Sequence, residues 1–206
     1  MNALLLHPAA RPLAFVLCLS PFVWLFFLAA TEGLGANPQE ALIRASGDWT
    51  LRLMCLTLAV TPLRQALALS ALARWRRMLG LFAFFYASAH LLCYAWFDMG
   101  LEVSDILIDI AKRPFILVGM LTFAILLPLA ATSWNGAVRR LGAARWQLLH
   151  RLVYLAALTM LLHFYWMRAG KSNFAEVFIY GAIVALLLGW RVWRRWLWPQ
   201  ARQGRD

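Results

Sequence analysis

Long apolar stretches alternate with short polar ones along the whole chain. They predict membrane-spanning helices, because a helix needs roughly 20 apolar residues to cross a hydrocarbon layer about 30 Å thick. Three stretches contain no charge beyond a single histidine, and the others carry a few polar residues. The predicted spans are 13–30, 49–67, 78–97, 114–133, 146–167 and 174–191.

The second predicted span, 49–67, is the least apolar, since it contains Arg52 and Arg64. We keep it because its omission would leave an apolar segment in water. Omission would also put the next basic loop on the wrong side, given that Lys and Arg accumulate on the cytoplasmic side of a membrane. The pattern therefore predicts an all-α, integral membrane six-helix bundle that forms a single domain over residues 1–206.

The charged residues orient this bundle. Arginines collect in the loops after the second and fourth spans and in the tail, whereas eight of the nine acidic residues fall on the opposite side. Both termini are therefore predicted to be cytoplasmic. The eight acids are Glu32, Glu40, Asp48, Asp98, Glu102, Asp105, Asp109 and Glu176.

The composition agrees with a bilayer as the solvent. Hydrophobic residues make up 63% of the chain and charged residues 14%, which leaves too little polar surface to cover a water-soluble core. The net charge of +11 follows from the topology, so it gives no case for nucleic acid as a partner, and membrane lipid is the expected environment.

Histidine carries the chemical signal. Three of the four histidines, His90, His150 and His163, lie inside predicted spans, where an ionisable side chain is costly and usually functional. Imidazole is a good axial ligand for heme iron, and no C-x-x-C-H motif is present for covalent attachment. The chain is therefore predicted to hold non-covalent heme b; hydrogen bonds between helices and a proton relay are the alternatives for these histidines.

Depth along the helices favours one pair of ligands. Counting about 1.5 Å per residue from the predicted cytoplasmic ends, His90 lies roughly 18 Å deep, His150 roughly 6 Å and His163 roughly 26 Å. His90 is thus nearer the level of His163. The 13 residues between His150 and His163 put them on different faces of an ideal helix, unless that helix is locally distorted.

Four other side chains are candidates for the surroundings of the cofactor. Arg52 and Arg151 each lie at or within a span and need a counter-charge, for which heme propionates are one candidate and snorkelling to the interface the other. Tyr86 and Tyr94 each lie four residues from His90 and share its helix face, so we expect them to line the pocket without acting as ligands.

Three runs of sequence carry a resemblance to a known family. They are RRMLGLFAFFYASAHLLCY (76–94), TPLR (61–64) and WQLLHRLVYLAALTMLLHFYW (146–166). These runs, with the length and six-helix pattern, closely resemble the MsrQ (YedZ) family of the ferric reductase-like transmembrane group. The resemblance implies a heme b subunit in the bacterial inner membrane that passes electrons to MsrP, a periplasmic molybdopterin methionine sulfoxide reductase.

The resemblance also assigns the histidines. His90 matches the histidine of the family's third helix, and His150 and His163 match the pair in the fifth. Relatives with two hemes carry an earlier histidine on the third helix, where this chain has Arg76 and Arg77. The resemblance therefore implies one heme between His90 and His163, with His150 as an alternative ligand or as the contact of a second group.

The electron donor is implied by resemblance only. The family is associated with the quinone pool and with FMN and a cytoplasmic flavin reductase, and basic residues such as Arg77 would suit a flavin phosphate or a docking partner. No Gly-rich phosphate loop is present that could bind a nicotinamide cofactor. We expect an electron-transfer subunit without the sulfoxide-reducing site.

One function of a different class stays open. The histidines could serve a substrate or proton path in a heme-free transporter or assembly factor. Transporters often contain internal repeats, and the hydropathy pattern of this chain shows no such symmetry.

Overall fold

A computed structural model describes residues 5–170 and 173–197, and its regular structure is helical. A 3₁₀ turn, Ser70–Arg74, precedes the third helix, and a π turn, Tyr94–Asp98, extends it. The helices are α1 Ala10–Ala30, α2 Pro38–Ala66, α3 Trp75–Cys93, α4 Val103–Lys112, α5 Pro114–Ala131, α6 Asn135–Leu141, α7 Ala143–His150, α8 Leu152–Ala169 and α9 Ala175–Leu197.

Within the described ranges, five helical stretches are long and apolar enough to cross a membrane. They coincide with the first, third, fourth, fifth and sixth predicted spans, so the prediction of an all-helical, multi-pass membrane protein is confirmed. The cytoplasmic position of both termini stays a prediction. The five stretches are Ala10–Ala30, Ser70–Asp98, Pro114–Ala131, Ala143–Ala169 and Ala175–Trp196.

Helix α2 covers the remaining predicted span but is less apolar than those five. It packs against α1, α3, α8 and α9, and Leu51, Leu53, Met54 and Leu58 on it are each only 2% exposed. Its polar residues are tolerated because neighbouring helices, more than lipid, surround it. Protein burial therefore replaces apolar composition in stabilising this helix.

The helix that contains the second predicted span begins well before residue 49. Helix α2 begins at Pro38, where Asn37 caps it by accepting a hydrogen bond of 3.2 Å from the backbone N–H of Glu40. Most of the expected loop between the first two spans is therefore helical. The expected loop 98–113 likewise contains a short helix, α4, because its apolar residues recur with helical spacing.

The predicted span 146–167 is two helices that meet at Arg151. The Arg151 N–H is shared between the carbonyls of Gln147 and Leu148, and the Tyr154 N–H donates to the Arg151 carbonyl at 3.0 Å. These i to i−3 bonds tighten one turn. A local distortion is therefore present in the helix between His150 and His163.

Two apolar clusters hold the helices together. The larger joins α2, α3, α5, α8 and α9 around residues such as Leu126 and Ala156. The smaller joins α2 and α3 to α1 around Tyr86. Helix α1 has no buried residue of its own, and it contacts α3 through aromatic pairs and a hydrogen bond of 2.9 Å from the Tyr86 hydroxyl to the Cys18 carbonyl. It is the peripheral helix of the bundle.

Candidate functional site

His90 and His163 face each other inside the bundle. Their ring centroids are 6.2 Å apart and their planes are inclined at 79°. His90 lies near the end of α3, and His163 lies in the second half of α8. Both line one cavity between α2, α3, α5 and α8, whose walls are mainly apolar. Its apolar lining includes Leu51, Ala87, Met120, Phe123, Met160 and Phe164.

The orientation of each ring is fixed by a backbone carbonyl. Nδ1 of His90 lies 2.8 Å from the carbonyl oxygen of Ile43, and Nδ1 of His163 lies 2.6 Å from that of Phe115. Because a carbonyl oxygen can only accept, each Nδ1 must carry the proton and donate it. The lone pair of each neutral ring is therefore on Nε2, which is the arrangement that a metal-binding histidine needs.

This pair of histidines fits a heme better than a bare metal ion. Among the described residues, no group of three or more His, Cys, Asp or Glu side chains comes together. Two imidazoles alone would leave a bare ion under-coordinated, whereas heme supplies four nitrogens itself and needs two axial ligands. The 6.2 Å between ring centroids leaves room for two metal–nitrogen bonds of about 2 Å each.

Charged residues gather at one end of this cavity. Arg44, Asp48, Asp98 and Arg113 are in its lining, together with the uncharged Tyr94. Arg113 forms an ion pair with Asp109, and the Tyr94 hydroxyl donates to the same carboxylate at 2.7 Å. The Arg113 guanidinium, by hydrogen bonding to Asp109, lowers the pKa of that carboxyl below its usual value. Sequence reasoning missed Arg44 and Arg113 as cavity residues because both lie outside the spans it assigned.

His150 lines a different cavity. Its Nε2 lies 3.0 Å from the Thr132 hydroxyl, and its ring stacks on Trp146 with centroids 3.9 Å apart. Four arginines share the lining of this second cavity, and Leu126 lines both cavities. The arginines are Arg76, Arg77, Arg151 and Arg191. The structure therefore brings His90 together with His163 and separates both from His150.

Two of the predicted site residues line neither cavity. Arg52 donates from Nε to the Tyr180 hydroxyl at 3.1 Å and lies over the Trp49 ring at 5.0 Å. Tyr86 is fully buried against α1 and α2. Tyr94, in contrast, lines the cavity of His90 as predicted. A four-residue step turns a helix by about 400°, so Tyr86 is rotated by about 40° from His90, and its long side chain reaches the neighbouring helix.

Comparison with known proteins gives consistent matches. Residues 46–161 match the model of the family described as ferric reductase like transmembrane component. A relative from Polaromonas naphthalenivorans is 68% identical over 192 residues, which cover 93% of this chain and 88% of the relative. A relative from Ralstonia nicotianae is 53% identical over 196 residues, which cover 95% and 89%. One from Herminiimonas arsenicoxydans is 51% identical over 190 residues, which cover 92% and 86%.

These three relatives carry the same name, protein-methionine-sulfoxide reductase heme-binding subunit MsrQ. No solved structure matches this chain.

Proposed function

Since the chain belongs to the MsrQ family of the ferric reductase-like transmembrane group, we propose that it is the membrane b-type cytochrome that supplies electrons to a methionine sulfoxide reductase. The observation that carries the proposal is the facing pair His90 and His163, each with Nδ1 tied to a carbonyl and Nε2 free. In this proposal the two histidines are the axial ligands of one non-covalent heme b.

A heme b held by His90 and His163 would supply one-electron oxidation and reduction. The protein contributes the surroundings. Apolar walls exclude water from the cavity, and the carbonyls of Ile43 and Phe115 hold the two rings in one tautomer. Arg44 and Arg113 at the charged end are cations that could pair with heme propionates.

The second cavity is the proposed entry point for electrons. Its four arginines, with His150 and Gln147, offer hydrogen-bond donors for a quinone carbonyl or the phosphate of FMN. Arg77 and Arg151 are among the residues that the sequence predicts for cofactor binding. We propose a quinol or a cytoplasmic flavin reductase as the donor. Leu126, which lines both cavities, would lie between the donor and the heme.

The proposed acceptor is MsrP, the periplasmic molybdopterin methionine sulfoxide reductase. Placing the chain in the bacterial inner membrane with the arginine-rich loops inside puts the His90 and His163 cavity toward the periplasm. The acidic residues on that side, in 32–48 and in 98–113, would suit a basic face of the partner. In this arrangement the chain carries electrons and the partner reduces the sulfoxide.

Absorption spectra of the detergent-purified protein, oxidised and then reduced with dithionite, test the heme. We expect the spectrum of a six-coordinate b-type cytochrome, lost in His90→Ala because α3 has no second histidine. A colourless preparation from heme-replete cells would overturn the proposal and favour the heme-free transporter.

Stopped-flow spectra test the partnership. Reduced protein mixed with MsrP should be reoxidised only when oxidised methionine substrate is added. Reoxidation that does not depend on substrate, or none at all, would remove MsrP from the proposal and leave the heme assignment standing.

A further inference from the structure

The helix segments that face His90 and His163 are built in the same way. We call each of them a histidine seat: a backbone carbonyl that accepts the Nδ1–H bond, and the glycine four residues after it. On α2 the carbonyl of Ile43 accepts the bond from His90, and Gly47 follows four residues later. On α5 the carbonyl of Phe115 accepts the bond from His163, and Gly119 follows four residues later. A carbonyl acceptor and a glycine one helical turn later thus face each ring.

The glycines are needed because of helix geometry. The side chain at position i+4 lies on the same helix face as residue i, over the carbonyl of residue i. A Cβ at Gly47 would be 3.2 Å from Cε1 and Nδ1 of His90, and a Cβ at Gly119 would be 2.9 Å from the same atoms of His163. A side chain at either position would therefore push the ring away from its carbonyl.

Nearly the same spacing, 72 or 73 positions, recurs along the chain. Ile43 and Phe115 are 72 positions apart, as are Gly47 and Gly119, and the two histidines are 73 apart. Each histidine lies in the second half of its helix and contacts the start of the preceding long helix. The helices within each pair, α2 with α3 and α5 with α8, are therefore antiparallel, and the two pairs run in the same direction. Two separate helix pairs therefore present the same contact, which argues against a chance approach at one site.

Other positions follow the same offset. Thr50 and Thr122 are 72 positions apart, and each hydroxyl donates to the carbonyl four residues earlier. Ala83 and Ala156 are 73 apart and are both 0% exposed. The correspondence is in backbone contacts and small residues, which is why the hydropathy pattern showed no repeat. The repeat is parallel, because both helix pairs run in the same direction.

We infer that Gly47 and Gly119 are the positioning residues for the two axial ligands, and that each sets the plane of its histidine and the strength of its Nδ1–H to carbonyl bond. The inference rests on the proposed function, in which His90 and His163 hold a heme. A hydrogen bond donated by Nδ1–H makes the imidazole more basic, which stabilises oxidised iron. The glycines thereby keep the midpoint potential low and hold the two rings at their steep mutual angle.

The experiment compares Gly47→Ala and Gly119→Ala with Gly181→Ala, whose added Cβ meets nothing within 4 Å. Heme content is measured by absorption, ring orientation by EPR of the oxidised protein and the midpoint potential by redox titration. We expect the two seat variants to show shifted EPR signals and a more positive potential, with the larger shift for Gly119→Ala. Gly181→Ala should match the wild type in each measurement.

The outcomes separate this inference from the proposed function. A wild-type protein without heme would overturn the proposed function and the inference with it. Seat variants that bind heme with wild-type EPR signals and potential would overturn the inference alone.

A double-variant cycle covers the case in which Gly47→Ala lowers stability so far that no heme binds. In the His90→Ala background the ring that the new Cβ would meet is absent, so Gly47→Ala should there cause no further loss of thermal stability. An equal loss with and without the His90 ring would show that the alanine acts elsewhere, and would overturn the inference.

Discussion

Replacing Tyr86 with phenylalanine separates two roles that this side chain could have. Its distance of four residues from His90 predicted a residue of the heme pocket. In the structure its ring is fully buried between α1 and α2, and its hydroxyl donates to the Cys18 carbonyl at 2.9 Å. Tyr86→Phe should therefore weaken the attachment of α1 and leave the heme unchanged.

The size of the effect follows from the single bond that is lost. The Cys18 carbonyl lies inside α1, so it keeps its helical hydrogen bond and is not left without a partner. Hydrogen bonds between membrane helices contribute about 0.6 kcal/mol on average, and the expected loss of unfolding free energy is about 0.6–1 kcal/mol. Removal of the whole ring in Tyr86→Ala should cost about 3–5 kcal/mol, because it leaves a cavity among buried neighbours.

Unfolding in mixed micelles of mild detergent and SDS measures the stability, and the absorption and EPR spectra report on the heme. Tyr94→Phe is the matched control, since Tyr94 does line the cavity of His90 and donates to Asp109. A spectral shift in Tyr86→Phe equal to that in Tyr94→Phe would refute the placement of Tyr86 outside the cavity. A stability loss of several kcal/mol would refute the single-bond argument.

Three further predictions follow from the sites. His163→Ala should lose heme while His150→Ala retains most of it, because His150 lines the other cavity. A pyridine hemochrome assay measures the heme content of both variants, and equal losses would contradict the pairing of His90 with His163. The ion pair with Arg113 lowers the pKa of Asp109, so the pair stabilises the fold by at most about 1 kcal/mol above a pH of about 4, and this stabilisation is lost as the pH falls through the lowered pKa. Unfolding curves of Arg113→Gln should lack this loss of stability in acid. An unchanged pH profile would count against the pair. Thr122→Val, which removes a hydroxyl contact of 2.8 Å between α5 and α8, should lower stability by about 0.6 kcal/mol. Unfolding curves equal to those of the wild type would count against this contact.

The sequence predicted the membrane helices well where hydrophobicity alone determines them. Spans of uninterrupted apolar residues, such as α1 and α5, coincide with the prediction because lipid contact demands apolar side chains over the whole length. The start of α2 was missed because a capped, polar helical segment leaves no hydropathy signal. In that segment Asn37 and Pro38 give the start instead.

The candidate site was predicted in part. Position along the helices favoured His90 and His163 as neighbours, because depth depends only on the rise per residue. The seats were missed because they depend on a carbonyl and on glycine, which carry no side-chain chemistry in a sequence. One signal was available: a glycine on each of two helices, 72 positions apart, where the two histidines are 73 apart.

Helix α2 has a consequence for how the protein enters the membrane during synthesis. An arginine or aspartate at the centre of a helix costs about 2.5–3.5 kcal/mol in translocon-mediated insertion, and α2 carries Arg44, Asp48 and Arg52 along its length. On its own, α2 should partition poorly from the translocon into the lipid. Its most extensive packing is with α3, which follows directly and is apolar enough to insert. We expect the two to partition into lipid together as a hairpin, so that the ribosome must complete α3, and with it His90, before α2 is committed to the bilayer.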